Sequence, residues 1–329
     1  MNYPGSKSPQ ELNSPSYPTA RFIKEIGRGV KGARSLSCSD AQELFAAIIA
    51  GQVSDLELGA ILIAMRVKGE SVDEIAGFLQ AAESSFPLLQ APQSACMPIV
   101  IPSYNGARRA ANLTPLLAML LAQAGASVLV HGVVHDAGRV TSAEIFQELG
   151  LPVSANQYEA TQQWQLGRPV FMPVQHLAPR LEQLLALRKI LGLRNSTHTL
   201  VKIMQPFAQP ALRLTSYTHP EYAAMLTEYF STVADPQRGD VLLMRATEGE
   251  TVANTKKVQQ IDWFHDRKQT TLVEAQAGTD LVLPIPPDAH GTAQWIKQVL
   301  AGIEPVPENI ATQVKYCLNV ARSEQGELN

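Results

Sequence analysis

The sequence predicts an α/β protein: a small N-terminal helical bundle domain followed by a larger parallel α/β domain. Three observations predict it. Three segments between Ser39 and Ser85 open with capping boxes and carry apolar residues at helical spacing. A stretch with Pro87 and Pro92, Phe86–Met97, then reads as a hinge. Beyond it, two short β-branched runs each feed a loop and a capped helix, the parts of a parallel sheet.

In chain order, residues 1–19 place Pro4, Pro9, Pro15 and Pro18 among polar side chains, which predicts a disordered arm. Arg21–Ile26 has room for a turn or two of helix. The next six residues, Gly27-Arg28-Gly29-Val30-Lys31-Gly32, match the dinucleotide pattern G-x-G-x-x-G. No strand precedes them and no βαβ unit surrounds them, so they read as a basic, flexible loop. The capping boxes Ser39/Gln42, Ser54/Glu57 and Ser71/Glu74 start three helices, and Gly51 and Gly69 end the first two. Leu58, Ile61, Leu62 and Met65 form one stripe, and Val72, Ile75 and Leu79 another. The helical domain is set at 20–86 and the α/β domain at 98–329, with part of 176–200 expected to pack on the helical domain.

The first β-branched run is Pro98–Ile101. Its loop ends at Thr114-Pro115, a side-chain cap and a proline at the first helical position, and that helix stops at Gly125. The second run is Ser127–His131, and its loop leads to a Thr141/Glu144 capping box with Gly150 after the helix. Parallel sheets bind ligands beyond the carboxyl ends of their strands, where helix N-termini offer N–H groups to anions. Both loops are therefore expected to open on one anion-binding cleft. Later strands are expected at Pro169–Val174, Leu212–Tyr217, Val241–Arg245 and Leu272–Ala275. Helices are expected at Leu177–Leu191, from Thr218/Glu221 to about Thr232, and at Gln294–Leu300 and Ile310–Val320.

Bulk properties narrow the function. With 329 residues and 45% hydrophobic content the chain can bury a large core, while a formal charge of −3 gives no bulk case for nucleic acid. The charge is unevenly spread. Lys7, Arg21, Lys24, Arg28, Lys31 and Arg34 face only Glu11 and Glu25 in residues 1–35, so that head carries +4 and the remainder −7. Cys38, Cys96 and Cys317 are odd in number and far apart, which indicates neither a disulfide framework nor a cysteine zinc site. No apolar run reaches the roughly 18 residues of a membrane span, and residues 1–20 carry no apolar signal core. A soluble cytoplasmic protein without a membrane partner is expected. His198, His219, His265 and His290 lack partners at metal-ligand spacing, and no Ser/His/Asp or Cys/His arrangement stands out.

The two loops resemble the diphosphate- and ribose-binding segments of the anthranilate phosphoribosyltransferase family. That family carries Gly-Thr-Gly-Gly-Asp-Gly, Asn-Ile-Ser-Thr and Lys-His-Gly-Asn-Arg. This chain has Ile101-Pro102-Ser103-Tyr104-Asn105-Gly106, Asn112-Leu113-Thr114-Pro115 and Val130-His131-Gly132-Val133-Val134. Leu36–Ser85, with Gly51-Gln52-Val53-Ser54 and Met65-Arg66-Val67-Lys68-Gly69-Glu70, resembles the family's helical domain, which forms its dimer contact. A bundle packed only on its own subunit suits the same stripes. Leu187-Arg188-Lys189-Ile190-Leu191-Gly192-Leu193-Arg194 resembles the family's Val-Arg-Arg-Glu-Leu-Gly-Val-Arg.

The departures fall on the chemistry. Valines at 130, 133 and 134 replace Lys, Asn and Arg, and valine neither donates a hydrogen bond nor neutralises charge. Pro102, Ser103, Tyr104 and Asn105 put bulk where the family has a glycine-rich loop. His131 and Gly132 survive, as structural or as functional residues, and Asn112 and Thr114 match the family's Asn and Thr. Its magnesium-binding Asp-Glu pair falls on Glu250 and Thr251, with Glu248 able to substitute from a shifted position. Against these losses stand Arg108 and Arg109, Arg139 at a family lysine position, Arg188, Lys189 and Arg194 on the acceptor side, and Lys202 with Lys256-Lys257 further on. Guanidinium groups suit an extended polyanion, binding phosphate bidentately and stacking on bases. Solvated surface charge is the competing reading for each of them.

The pattern Tyr-Asn-Gly-Ala-Arg-Arg-x-x-Asn-Leu-Thr-Pro, with the basic loop holding Arg28, Lys31 and Arg34, resembles the family's YbiB-type branch. That resemblance implies a non-catalytic homodimer that binds nucleic acid, single-stranded DNA or RNA first and duplex second, with no cofactor. The candidate phosphate-binding residues are Arg108, Arg109, Asn112, Thr114, His131, Arg139, Arg188, Lys189, Arg194, Lys202, Arg28, Lys31 and Arg34. The alternative is a phosphoribosyltransferase of altered substrate, using phosphoribosyl diphosphate and magnesium, with Glu248 and Glu250 as weak metal ligands.

Overall fold

Among the described residues four helices open the chain, α1 (Ala20–Ile26), α2 (Cys38–Ile49), α3 (Asp55–Lys68) and α4 (Val72–Glu83), and side-chain caps decide where the last three begin. The computed structural model describes residues 17–29, 31–278 and 285–322. Ser54 and Ser71 each accept the N–H three residues on, while Glu57 and Glu74 reach back in complete capping boxes. The first box is displaced. Ser37, not Ser39, caps α2 and accepts from the Asp40 N–H at 3.1 Å, because Ser37 is extended and Ser39 already lies inside the helix. Of the arm expected at 1–19, residues 1–16 lie outside the described residues. Its last part is pinned: Tyr17 donates to Glu43, and fully buried Thr19 donates to Glu57.

These helices and Leu184–Leu200 form one unit, and Phe86–Gln183 with the chain from Val201 onward forms a second. Within the first unit, Phe45 of α2 stacks on Phe78 of α4 with ring centroids 5.0 Å apart. Glu74 is buried, yet its carboxylate accepts from the Leu36 N–H, the Ser71 N–H and Lys68 Nζ, at 2.8, 2.8 and 2.6 Å. A buried charge persists only when paired and hydrogen-bonded, and here one carboxylate joins three segments. Contact between α2 and α4 also depends on Gly77. A Cβ there would lie 2.2 Å from the Cys38 carbonyl oxygen and 2.7 Å from the Gln42 nitrogen.

The second unit is built on a seven-stranded sheet of order β3-β2-β1-β4-β5-β6-β7. Its strands are β1 (Ile99–Ser103), β2 (Val128–Gly132), β3 (Val170–Pro173), β4 (Leu212–Tyr217), β5 (Val241–Arg245), β6 (Ile261–His265) and β7 (Lys268–Val273). The first five pair in parallel, but β6 and β7 are antiparallel, so the sheet is mixed rather than wholly parallel. The hairpin escapes sequence reasoning because its turn, Asp266-Arg267, has positive φ at both residues without a glycine. The chain leaves central β1 toward β2 and β3, then returns on the other side through β4 and β5. That reversal sits between β1 and β4, where such sheets hold their ligands.

Helices α5 (Thr114–Gln123) and α6 (Ser142–Glu148) follow β1 and β2. Leu116, Leu117 and Leu121 of α5 share one buried cluster with Ile99 and Ile101 of β1 and Val128 and Val130 of β2. Helices Ala289–Leu300 and Glu308–Arg322 add Ile296 and Val320 to it. The helix expected over Leu177–Leu191 is instead three pieces, Val174–Leu177, Pro179–Ala186 and Arg188–Leu191, the first break coming at Ala178 before Pro179. The helix Pro220–Thr232 starts after His219 with proline in its first turn and no side-chain cap, so Thr218 plays no capping part. Helices also form at Gln157–Gln165, capped by Asn156, and at Thr197–Ile203, where the sequence reading places none. No helix among the described residues is long and apolar enough to cross a membrane.

Overpacking a tight contact costs about 1–3 kcal/mol, and the atoms facing Gly77 are main chain that cannot swing aside. Gly77→Val should therefore lower the stability of the helical unit by about 2 kcal/mol or more, measured by urea unfolding. Unchanged stability would contradict the close approach of α2 and α4.

Candidate functional site

Two loops leave the carboxyl ends of β1 and β2 and are stitched together. Ala107 and Val140 exchange main-chain hydrogen bonds at 3.0 and 2.8 Å. Two glycines, Gly106 and Gly132, serve the close approach of these segments. A Cβ on Gly132 would sit 1.7 Å from the Ser103 carbonyl oxygen, and one on Gly106 (φ 68°) 2.6 Å from that of Val140. Backbone approaching backbone accounts for both, without a ligand. Tyr104, standing where the family has glycine, hydrogen-bonds His131 Nδ1 at 2.7 Å, and the rings meet edge-on. Burial holds the His131 imidazole neutral, with its pKa lowered from 6.5 to about 3, and pushes the Tyr104 phenol well above its ordinary value.

A third segment closes over the first loop. After β5 the chain turns at Thr247–Glu250, whose end residues exchange main-chain hydrogen bonds at 2.9 Å, with positive φ at Glu248 (54°) and Gly249 (98°). This turn aims two carboxylates at the loop. Glu250 Oε1 accepts from the main-chain N–H groups of Asn105 at 2.9 Å and Gly106 at 2.6 Å. Glu248 Oε2 accepts from those of Arg108 at 3.0 Å and Arg109 at 3.1 Å. Partial burial opposes the Glu248 charge, but those N–H groups, with the charges of Arg139 and Arg109, hold its carboxyl below its ordinary value. The Arg139 guanidinium donates to the carbonyls of Gly106 and Glu248 at 3.1 and 3.0 Å, bracing loop and turn together. The Asn105 amide donates to the Gly249 carbonyl at 2.7 Å, and Lys202 approaches the same oxygen at 3.4 Å.

The donor set at this turn does not fit magnesium. Glu250 is buried against main-chain donors, and Thr251 donates to Ser216 Oγ at 3.0 Å. Glu248 likewise turns to amides, and no group of three or more metal-ligating side chains occurs among the described residues. The metal candidates Glu248 and Glu250 are thus both turned to the protein's own main-chain N–H groups.

Other candidates fall into three conditions. Asn112, Thr114 and His131 are buried at 1%, 0% and 0% exposure, so none is placed to meet a phosphate from solvent. Asn112 Nδ2 donates to the Val140 carbonyl and Ser142 Oγ, and its Oδ1 accepts the Thr114 N–H at 3.2 Å. Thr114, expected as a cap, is instead the first residue of α5. Arg108 and Arg109 are exposed, and neither guanidinium has a hydrogen bond or salt bridge among the described residues. Arg28, Lys31, Arg34, Arg188 and Lys189 are exposed on the helical unit, with Arg194 half-buried there and Arg28 paired to Glu25 at 2.7 Å. Sequence reasoning missed Tyr104 as the partner of His131, and missed that Glu248 and Glu250 face the loop. The pair Glu-Gly-Glu is visible in the sequence, but its partners lie about 140 residues away.

Comparison with known proteins agrees with this architecture. Residues 20–85 match the helical bundle domain of the glycosyl transferase family. The uncharacterized protein YbiB of Escherichia coli (strain K12) is 46% identical over 301 residues, 91% of this chain and 92% of that protein. Anthranilate phosphoribosyltransferase of Persephonella marina (strain DSM 14350 / EX-H1) is 28% identical over 195 residues, which span 58% of this chain and 55% of that enzyme. The structure of anthranilate phosphoribosyltransferase from Thermus thermophilus aligns with a TM-score of 0.68 at 19% identity, covering 93% of this chain and 90% of that one. The Saccharomyces cerevisiae enzyme in complex with PRPP and Mg gives 0.69 at 16%, covering 91% and 88%. At these identities the structures share the fold: a helical bundle and a mixed α/β sheet domain.

His131 sets a pH dependence. Below pH 6.5 the unfolded chain takes up a proton that the folded one refuses until about pH 3, so stability falls with pH across that window. The slope from this one group is about 1.4 kcal/mol per pH unit. His131→Phe should flatten the decline between pH 6.5 and 4 in stepped-pH urea unfolding. An unchanged slope would mean that His131 is protonated in the folded protein.

Proposed function

The chain belongs to the anthranilate phosphoribosyltransferase-like family, and we propose that it uses the family's scaffold as a non-catalytic homodimer that binds nucleic acid. One observation carries the reading. The loop's main-chain donors are satisfied by Glu248 and Glu250, while the Arg108 and Arg109 guanidiniums stand exposed without salt bridges among the described residues. The attraction that remains for anions is side-chain charge at the surface. That suits a polyanion arriving from outside better than a small diphosphate enclosed by backbone. Exposed Lys31, Arg34, Arg188 and Lys189 give the helical unit a similar character. Single-stranded DNA or RNA fits best, since guanidinium planes stack on unpaired bases. The alternative, a transferase of altered substrate, lacks its charge-stabilising groups at Val130, Val133 and Val134.

The helical unit supports the homodimer. Leu56 and Val67 of α3 are 85% and 61% exposed, and Ile190 is 81% exposed. Leu56, Ile63 and Val67 line one groove with Ile23 and Leu191, a continuous apolar surface of the kind that marks interfaces. A second copy of the same face is its proposed cover. Light scattering at micromolar concentration should give a dimer mass, and Val67→Glu should give a monomer that keeps its helical content. A monomeric parent protein would refute the assembly.

Nucleic-acid binding is tested by gel shift with single- and double-stranded DNA and RNA at two salt concentrations. Replacing Arg108 and Arg109 by Ala should weaken binding to all sequences alike and flatten the log K against log salt slope by about one for each phosphate no longer neutralised. Equal affinity and slope in the double variant would remove the loop from the binding surface.

A further inference from the structure

The main-chain N–H groups of Asn105 and Gly106 converge on a single atom, Glu250 Oε1. Successive amides aimed at one point form an anion nest, and such nests ordinarily hold phosphate oxygens. Glu250 itself is 1% exposed, and its second oxygen, Oε2, has no hydrogen-bond partner among the described residues. Burying a carboxylate with one oxygen unpartnered is costly, so two strong donors on the other oxygen must carry its stabilisation. The approach also depends on glycine: a Cβ on Gly249 would lie 2.4 Å from Asn105 Nδ2. Two residues earlier Glu248 repeats the arrangement on the N–H groups of Arg108 and Arg109. Segment Asn105–Arg109 thus gives four main-chain donors to two linked carboxylates, as it would to the two linked anionic groups of a diphosphate.

We propose that Glu250 is the resident anion of this loop: its carboxylate fills an oxyanion cradle made by the Asn105 and Gly106 amides and so closes the loop to an external diphosphate. Removing that one side chain uncovers a cradle for phosphate or pyrophosphate oxygens. The inference goes beyond nucleic-acid binding and does not depend on it, because it concerns amides beneath the loop and not the arginine side chains.

The test is titration of the full-length protein with sodium pyrophosphate, with and without magnesium, followed by amide NMR and by melting temperature. In the parent, the Asn105 and Gly106 amide resonances should not move at millimolar pyrophosphate. In Glu250→Ala both should shift saturably, and the melting temperature should rise with pyrophosphate and less with acetate. Glu250→Gln keeps a carbonyl oxygen on the same amides and should stay unresponsive, while its Gly106 amide exchanges about tenfold faster than in the parent because the charge is lost. Saturable shifts at these two amides in the parent, or their absence in folded Glu250→Ala, would overturn the proposal. Should Glu250→Ala not fold, the parent titration and the exchange rate in Glu250→Gln decide, and unchanged exchange overturns it. No nucleic acid enters these titrations, so failure of the binding reading leaves their outcome intact.

Discussion

Two carboxylates on one tight turn satisfy the main-chain donors of the loop after β1, and the α/β unit's candidate site is arranged around that constraint. For Glu248 and Glu250 to reach the amides, the turn adopts positive φ at Glu248 and Gly249, and Gly249 passes too close to Asn105 for a side chain. For the loop to stay in reach, Arg139 ties its Gly106 carbonyl to that of Glu248. The loop is then fixed from the other side by its hydrogen bonds to Val140, and Gly132 lets β2 pass against Ser103. Removing the Glu250 carboxylate would leave the buried Asn105 and Gly106 amides without partners, which is why this turn and this loop are one structural unit.

The same logic explains why family positions persist here in structural roles. Asn112, Thr114, His131 and Gly132 keep their identities, but each is buried and engaged in the loops' own packing. Tyr104 fills space beside His131 that a glycine would leave open, and a neutral imidazole is the state burial permits there. Retention of a residue type at such a position is evidence of shape. Arg108 and Arg109, by contrast, stand exposed beside these packed residues.

In the helical unit a buried charge again acts as a junction. Glu74 holds the start of α4, the Leu36 segment and Lys68 together, and its burial is tolerable because every neighbour donates to it. On α3, Ile61, Leu62 and Met65 are buried within the unit while Leu56, Ile63 and Val67 are left exposed, and that exposed face is the physical argument for the proposed second copy.

Much of this was legible in the sequence. Boxes at Ser54, Ser71 and Thr141, glycines at helix ends, and β-branched runs at 99–101 and 128–130 act through neighbours in the chain, so local chemistry determined those elements. Local signals also misled at α2, where Ser37 and not Ser39 is the cap, and where the turn had no glycine, as at Asp266-Arg267. The site was different. Which side chain meets the loop's amides depends on bringing residues 248 and 250 beside 105–109 across the sheet, a contact that strand order and the reversal between β1 and β4 decide. The sequence by itself determined the helices begun by the boxes at Ser54, Ser71 and Thr141, the central strands and the presence of Arg108 and Arg109. Only the tertiary structure decided that Glu248 and Glu250 serve as anions for the protein's own backbone, because hydrogen bonds follow distance in space and not separation in sequence.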